Sequence, residues 1–222
     1  MCILKRCSLF KSTVKNLVYC LMKQLLLGLL FAIGTHTAHA QFSENHAIYG
    51  TMGLDVGNYF GANFGLNYTY QEKYSFRLEY NVRARSADSE PDDFNIGLGR
   101  ALSFGLANPY DNIKTFQVTA GRIYKMNPKG TIRMNLSVGV GFSTISLPEN
   151  WQSVEGTFLF SDNYTWDTYN YNTISFVISP KIEFPFTRHY GLSLSPVFQI
   201  NKDRTYIGIG FEHMFGLIRK RS

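Results

Sequence analysis

Beyond its first forty residues, this sequence has few side chains that could do chemistry: three histidines, scattered carboxylates and a dense set of aromatics. The histidines are His46, His189 and His213. No two of them have the H-x-x-x-H spacing that brings two imidazoles to one ion, and no cysteine lies beyond residue 40. We therefore expect neither a metal nor a cofactor. A lipid hydrolase or acyltransferase would need a serine nucleophile, a histidine base and an orienting acid near a membrane interface. His213, between Phe211 and Phe215, is the best base for such an enzyme, and His189, in "TRHYG", is second. The plainer readings are preferred: His213 as an interfacial residue near a strand end, and His189 as a solvated turn residue. No G-x-S-x-G motif occurs, and "GVGF" and "GIGF" lack the following helix that a nucleotide loop requires.

Two polar stretches could bind partners. "SADSEPDD" (86–93) carries Asp88, Glu90, Asp92 and Asp93; it could offer oxygens to a calcium ion, but is read first as a solvated acidic loop. The irregular stretch 147–172 holds Trp151, Phe158, Phe160, Tyr164, Trp166, Tyr169 and Tyr171. Aromatics in a polar loop make a surface for a protein or glycan partner, or a cover over a barrel mouth. Trp151, Tyr164, Trp166, Tyr169 and Tyr171 are the candidate binding residues.

The remaining charges are arranged by a pattern. In "YSFRLEYNVRAR" (74–85) every even position is apolar or aromatic and every odd one polar or charged. That period of two marks a strand with two unlike faces. The same alternation recurs in nine runs with turn signals between most of them, "QEK" at 71–73, "MNPKG" at 126–130 and "NKDR" at 201–204 among them. Most runs are longer than the usual soluble strand of about 5–6 residues and match the roughly 9–11 needed to cross a bilayer at a tilt. The polar face is rich in glycine and carries charges of both signs: Asp55, Arg77, Glu79, Arg83, Arg133, Lys181, Glu183 and Glu212. Glycine weakens a water-exposed strand, but a narrow bore needs small residues beside bulky ones. A closed bore would also pair the charges. The apolar face then meets lipid, with tyrosines collecting at the interfaces.

The formal net charge of +6 suggests nucleic acid at first sight. Residues 1–40, however, hold five basic residues and no acid, leaving seventeen basic and sixteen acidic residues beyond. Nucleic acid is excluded as a partner. "LLLGLLFAIG" (25–34) after Lys23, followed by Ala38-His39-Ala40, has the form of a secretory signal cleaved before Gln41. Met22 is an alternative start. We expect a leader at 1–40 and a barrel domain at 41–222, without lipid anchor or disulfide.

On these runs and this leader, the chain resembles the small outer-membrane β-barrel proteins of Gram-negative bacteria, similar in size to OmpA-type and OmpW-type barrels, over about residues 46–215. "YIGIGFEHMF", ending at Phe215, resembles the terminal aromatic signal of that family, although "GLIRKRS" follows it. The resemblance implies an all-β, antiparallel up-and-down transmembrane barrel in the outer membrane, in contact with lipid and lipopolysaccharide. Eight strands are expected. Ten would result if "SVEGTFLFS" (153–161) added one to the nine runs, which include 94–106, where Arg100 would need a bulge or strand end to avoid lipid. The expected role is non-enzymatic, structural or loop-mediated, with a narrow channel for small solutes as the alternative and a lipid-modifying enzyme as the third reading.

Overall fold

The computed structural model describes residues 45–95, 97, 108–154 and 162–219. The expected leader, Arg100 and most of the 94–106 run lie outside these residues. Eight antiparallel strands follow in order: β1 (His46–Gly57), β2 (Phe60–Tyr70), β3 (Tyr74–Ser86), β4 (Tyr110–Lys125), β5 (Arg133–Ser153), β6 (Tyr164–Phe184), β7 (Tyr190–Ile200) and β8 (Thr205–Leu217). Each pairs with its chain neighbours, and β1 pairs with β8, closing the ring. No sheet edge is left within the wall. β3 pairs directly with β4, so the 94–106 run is not one of the wall strands. β5 likewise pairs directly with β6, so the ring closes without a strand from 153–161, most of which lies outside the described residues.

The alternation becomes an inverted polarity. Along β3 the burial pattern strictly alternates through its first eight residues, with Ser75, Arg77, Glu79 and Asn81 buried and Phe76, Leu78 and Tyr80 exposed. All around the ring most outward residues are large and apolar; Ile174 is 73% exposed, Phe60 and Phe211 60%. In water such a surface would be untenable, since contiguous apolar patches on soluble monomers rarely exceed a few hundred Å². In hydrocarbon it is the favourable arrangement, and the closed ladder pairs the wall backbone except where Pro180 and Pro196 interrupt the β6–β7 register. This is a transmembrane barrel.

Short polar motifs make the turns. Asn201 Oδ1 accepts from the backbone of Asp203 and Arg204, and Asn127 Oδ1 from that of Thr131 and Ile132. Thr187 Oγ1 does the same for His189 and Tyr190. These side chains imitate backbone turns and stop each strand where lipid ends. The termini of the barrel share one rim with the turns 71–73, 126–132 and 185–189, called here the terminal rim. The opposite, loop rim carries 58–59, 87–95, 108–109, 154, 162–163 and 201–204 among the described residues.

One feature departs from the sequence expectation. Of the expected irregular stretch Leu147–Asn172, residues 147–153 and 164–172 are strand: β5 and β6 are 21 residues each, against 11–16 for the others, and their paired tips run beyond the wall. A register shift between Glu149 and Gln152, with Asn150 at φ 55, marks a bulge in the tip. Polar outward residues such as Asn170, Asn172 and Thr144 hid this strand from a search for an apolar stripe, because above the membrane no lipid demands one. The tail after Phe215 packs back onto the barrel. Gly216 at φ 128 turns the chain, Ile218 N donates to Arg188 O (2.9 Å), and the Ile218 side chain is fully buried against Tyr49 and Met214.

Val140 lies among lipid-facing residues midway along β5 and is 59% exposed. Val140→Arg is expected to cost about 2–4 kcal/mol of stability in bilayers, as for cations near the midplane. Denaturant titration in phosphatidylcholine vesicles measures it; Asn172→Arg, above the apolar rows, is expected to be near neutral.

Candidate functional site: a sealed bore and a projecting hairpin

All eight predicted bore charges lie inside, none more than 5% exposed. Four are acids and four are bases, so the bore carries no formal net charge. They fall into three groups along the axis. Near the terminal rim, Arg133 pairs with Glu183 (2.6 Å), whose other oxygen accepts from the Tyr49 hydroxyl (3.0 Å). In the middle, Glu212 pairs with Lys181 and accepts from Ser193 and Ser195, while Arg77 bridges Glu79 (2.8 Å) and Glu212 (3.6 Å). Toward the loop rim, Arg83 pairs with Asp55 (2.8 Å), donates to Gln199 (2.6 Å) and lies 4.0 Å over the Tyr206 ring. Removing ions from water costs several kcal/mol each unless attraction and hydrogen bonds compensate. Here every charge has an opposite charge within 4 Å. The inward glycines make room for them: a Cβ on Gly61 would stand 2.7 Å from Arg83 Cγ, and one on Gly53 2.8 Å from Glu212 Cγ.

Apolar layers cap this ionic core at both ends. Toward the loop rim, Tyr59, Ile113, Ile145, Val177, Val197 and Tyr206 form one buried cluster, with Leu147 and Tyr171 packed on it. Toward the terminal rim, Tyr49, Met214 and Ile218 form the other. The sequence reading missed these residues, although Ile113, Ile145, Val177 and Val197 share the parity of the polar face in their strands. Following parity strand by strand, instead of listing apolar stripes, would have found them. Above the first seal, Asp111 is buried and pairs with Arg85 (3.1 Å) and Arg204 (3.7 Å). Asp88, in the 86–93 loop, also pairs with both arginines. That carboxylate is therefore engaged in clasping its loop to the barrel mouth.

The five predicted binding aromatics divide into two sets. Trp151, Tyr164 and Trp166 come together on the hairpin around Phe94, with ring centroids 5.2–6.5 Å apart and mostly edge-to-face. Such pairs add roughly 0.5–1.5 kcal/mol beyond area burial. Polar contacts dock the 87–95 segment here: Trp151 donates to Ser89 Oγ (3.0 Å), and the Tyr164 hydroxyl to Asp93 (2.8 Å), which raises the phenol's pKa above its usual value. Tyr169 and Tyr171 stand apart as a tilted pair 5.6 Å between centroids, Tyr169 being 57% exposed. The candidate histidine bases lie at the opposite rim. His213 Nδ1 bonds the Tyr190 hydroxyl (2.9 Å) and its ring stacks on Phe215. Among the described residues, neither His213 nor His189 has a serine or carboxylate hydrogen-bond partner.

An eight-stranded antiparallel barrel with a paired ionic bore and a lipid-facing wall defines a small transmembrane barrel. A major outer membrane protein from Thermus thermophilus has a similar fold, with a TM-score of 0.54, 10% identity, and cover of 77% of this chain and 99% of that one. Two further solved structures align more loosely. Ail, the attachment invasion locus protein of Yersinia pestis, gives a TM-score of 0.45 at 11% identity, covering 78% of this chain and 98% of that one. The N-terminal β-barrel domain of Pseudomonas aeruginosa OprF gives 0.46 at 11%, with the same cover. No protein-family model and no curated protein matches the sequence.

Breaking one bore pair strands a charge in a site that water does not reach. Glu183→Gln is expected to lower stability by about 3–5 kcal/mol. Arg133→Met combined with Glu183→Gln is expected to restore most of that loss, as read by the midpoint of urea unfolding in detergent micelles.

Proposed function

We propose that this chain is a non-enzymatic barrel of the bacterial outer membrane that binds a partner protein through its projecting β5–β6 hairpin. The observation that carries the reading is the contrast between a bore sealed at both ends and a hairpin extended beyond the wall by roughly 20 Å, at about 3.3 Å per residue. Side chains fill the bore, which argues against the narrow channel. Long connections opposite the termini fit the usual pattern of short periplasmic turns and longer extracellular loops, which supports an extracellular hairpin. The signal-like leader agrees with export, and the likeness to a Thermus outer-membrane protein supports the fold this location requires.

The hairpin offers a means of binding. β7 pairs with β6 only from Phe176 to Phe184. Among the described residues, no strand covers the other edge of β6 over Asp167–Ser175. Exposed edges are normally guarded by lysine, proline or a bulge; this stretch, "DTYNYNTIS", has no lysine or proline. An extended segment of a partner can add there as a further strand, with the exposed Tyr169 supplying a side-chain contact. A lipid-modifying activity has less support, because His213 sits in an aromatic girdle with a phenol as its partner.

In planar bilayers the purified barrel is expected to give no steady single-channel conductance; reproducible open steps would count against a sealed bore. Asn170→Lys together with Asn172→Lys guards the edge without touching the wall. This variant is expected to keep its heat-modifiable gel mobility and to lose about tenfold or more of partner cross-linking on intact cells, as for other strand-addition sites. Unchanged cross-linking would remove the edge from the proposal.

A further inference from the structure

We propose that the terminal rim holds an acidic phospholipid, with the phosphate seated between Arg122 and Lys73. The inference rests on the transmembrane reading of the barrel and concerns the rim opposite the hairpin. Arg122 follows the outward parity of β4, between Ala120 and Tyr124, and is exposed. Register places it opposite Tyr74 on β3 and Leu136 on β5, one row inside the Tyr124 row. Its guanidinium lies 5.4 Å from the centroid of the Tyr124 ring. A cation on the lipid wall is tolerated only where it reaches headgroups, and a tyrosine row marks that depth.

A cleft of about 370 Å³ opens at this place, between the β2–β3 turn and the end of β4. Gln71 and Glu72 shape the turn, both at left-handed φ (52 and 53), and Ile123 N donates to Lys73 O (2.7 Å), fixing the turn against β4. Lys73, Arg122 and Lys125 all line the cleft, but Lys125 is matched by Glu72. Among the described residues, neither Lys73 nor Arg122 has a carboxylate partner. The cleft thus presents two unmatched cations and a phenol ring at headgroup depth, a set that suits a phosphodiester beside an acyl chain lying on Phe76 and Leu136. The wider rim has the same sign, with Lys129, Arg188 and Arg219 also at this end. A lipid with net negative charge is therefore favoured over a zwitterionic one.

The full chain, folded in a non-ionic detergent and titrated with phosphatidylglycerol, is expected to retain one lipid in native mass spectrometry and to prefer it over phosphatidylcholine. Arg122→Gln with Lys73→Gln is expected to cut that retention about tenfold, the scale of a lost charge-assisted contact, while Lys129→Gln leaves it unchanged. Equal retention of the two lipids, or an unaltered double variant of normal gel mobility, would overturn the proposal. So would displacement of the lipid by millimolar glycerol phosphate, which would assign the seat to a soluble phosphate. Failure of the transmembrane reading would appear separately, as a folded chain that stays dissolved without detergent.

Discussion

Charge neutrality inside a space that water cannot fill is the constraint on which the rest of the molecule depends. An eight-stranded ring is just wide enough for its own side chains. Once Arg77, Arg83, Arg133 and Lys181 point into it, four acids must point in at matching depths, and every row must leave room for them. Gly53 and Gly61 stand where Glu212 and Arg83 pass. The serines and amides, such as Ser195 and Gln199, occupy lone pairs and protons that the ion pairs leave over. The wall has no such freedom and no such need. Its backbone is paired by the ladder almost throughout, and most of its outward residues need only to be apolar.

This division explains why the wall was legible in the sequence. Period-two alternation is forced wherever one face meets lipid and the other a packed bore, so the eight wall strands and the inward parity of all eight charges could be read from residue type alone. Arg77 and Glu79, two apart in one strand, had to share a face; that they pair with each other, and that Arg77 also reaches Glu212, could not be read, because barrel register sets it. The wall even tolerates Pro180 and Pro196, which lack an N–H. β6 and β7 show no registered pairs between Ile178–Phe198 and Ile182–Leu194, where the two prolines lie. Neighbouring rows hold the strands together across this gap.

What escaped the sequence lies where lipid no longer dictates the pattern. Residues 147–153 and 164–172 form strand without an apolar stripe, because both faces of the hairpin leave the bilayer. The 94–106 run alternates well and is still not a wall strand, so alternation by itself does not distinguish a wall from what connects it. The apolar seals were hidden for a different reason. Ile113, Ile145, Val177 and Val197 are apolar residues on the face expected to be polar, one per strand, and each alone reads as noise. Only the ring closure that brings them to one level shows them to be a layer.

The seals and the ionic core depend on one another. A salt bridge in water contributes little, and the bore pairs are strong only because the Tyr59–Tyr206 layer and the Tyr49–Met214–Ile218 layer keep solvent from both ends. The tail that departs from a terminal phenylalanine gains a physical role here. Gly216 lets the chain fold back, Ile218 closes the terminal end, and the Ile218 carbonyl accepts from Arg133 (3.1 Å), the same guanidinium that holds Glu183. Gly216 to Ile218 thus complete the bore, and the hairpin of β5 and β6 is what extends furthest from the wall among the described residues. An interior committed to its own neutralisation leaves the rims as the surfaces on which the proposed binding rests.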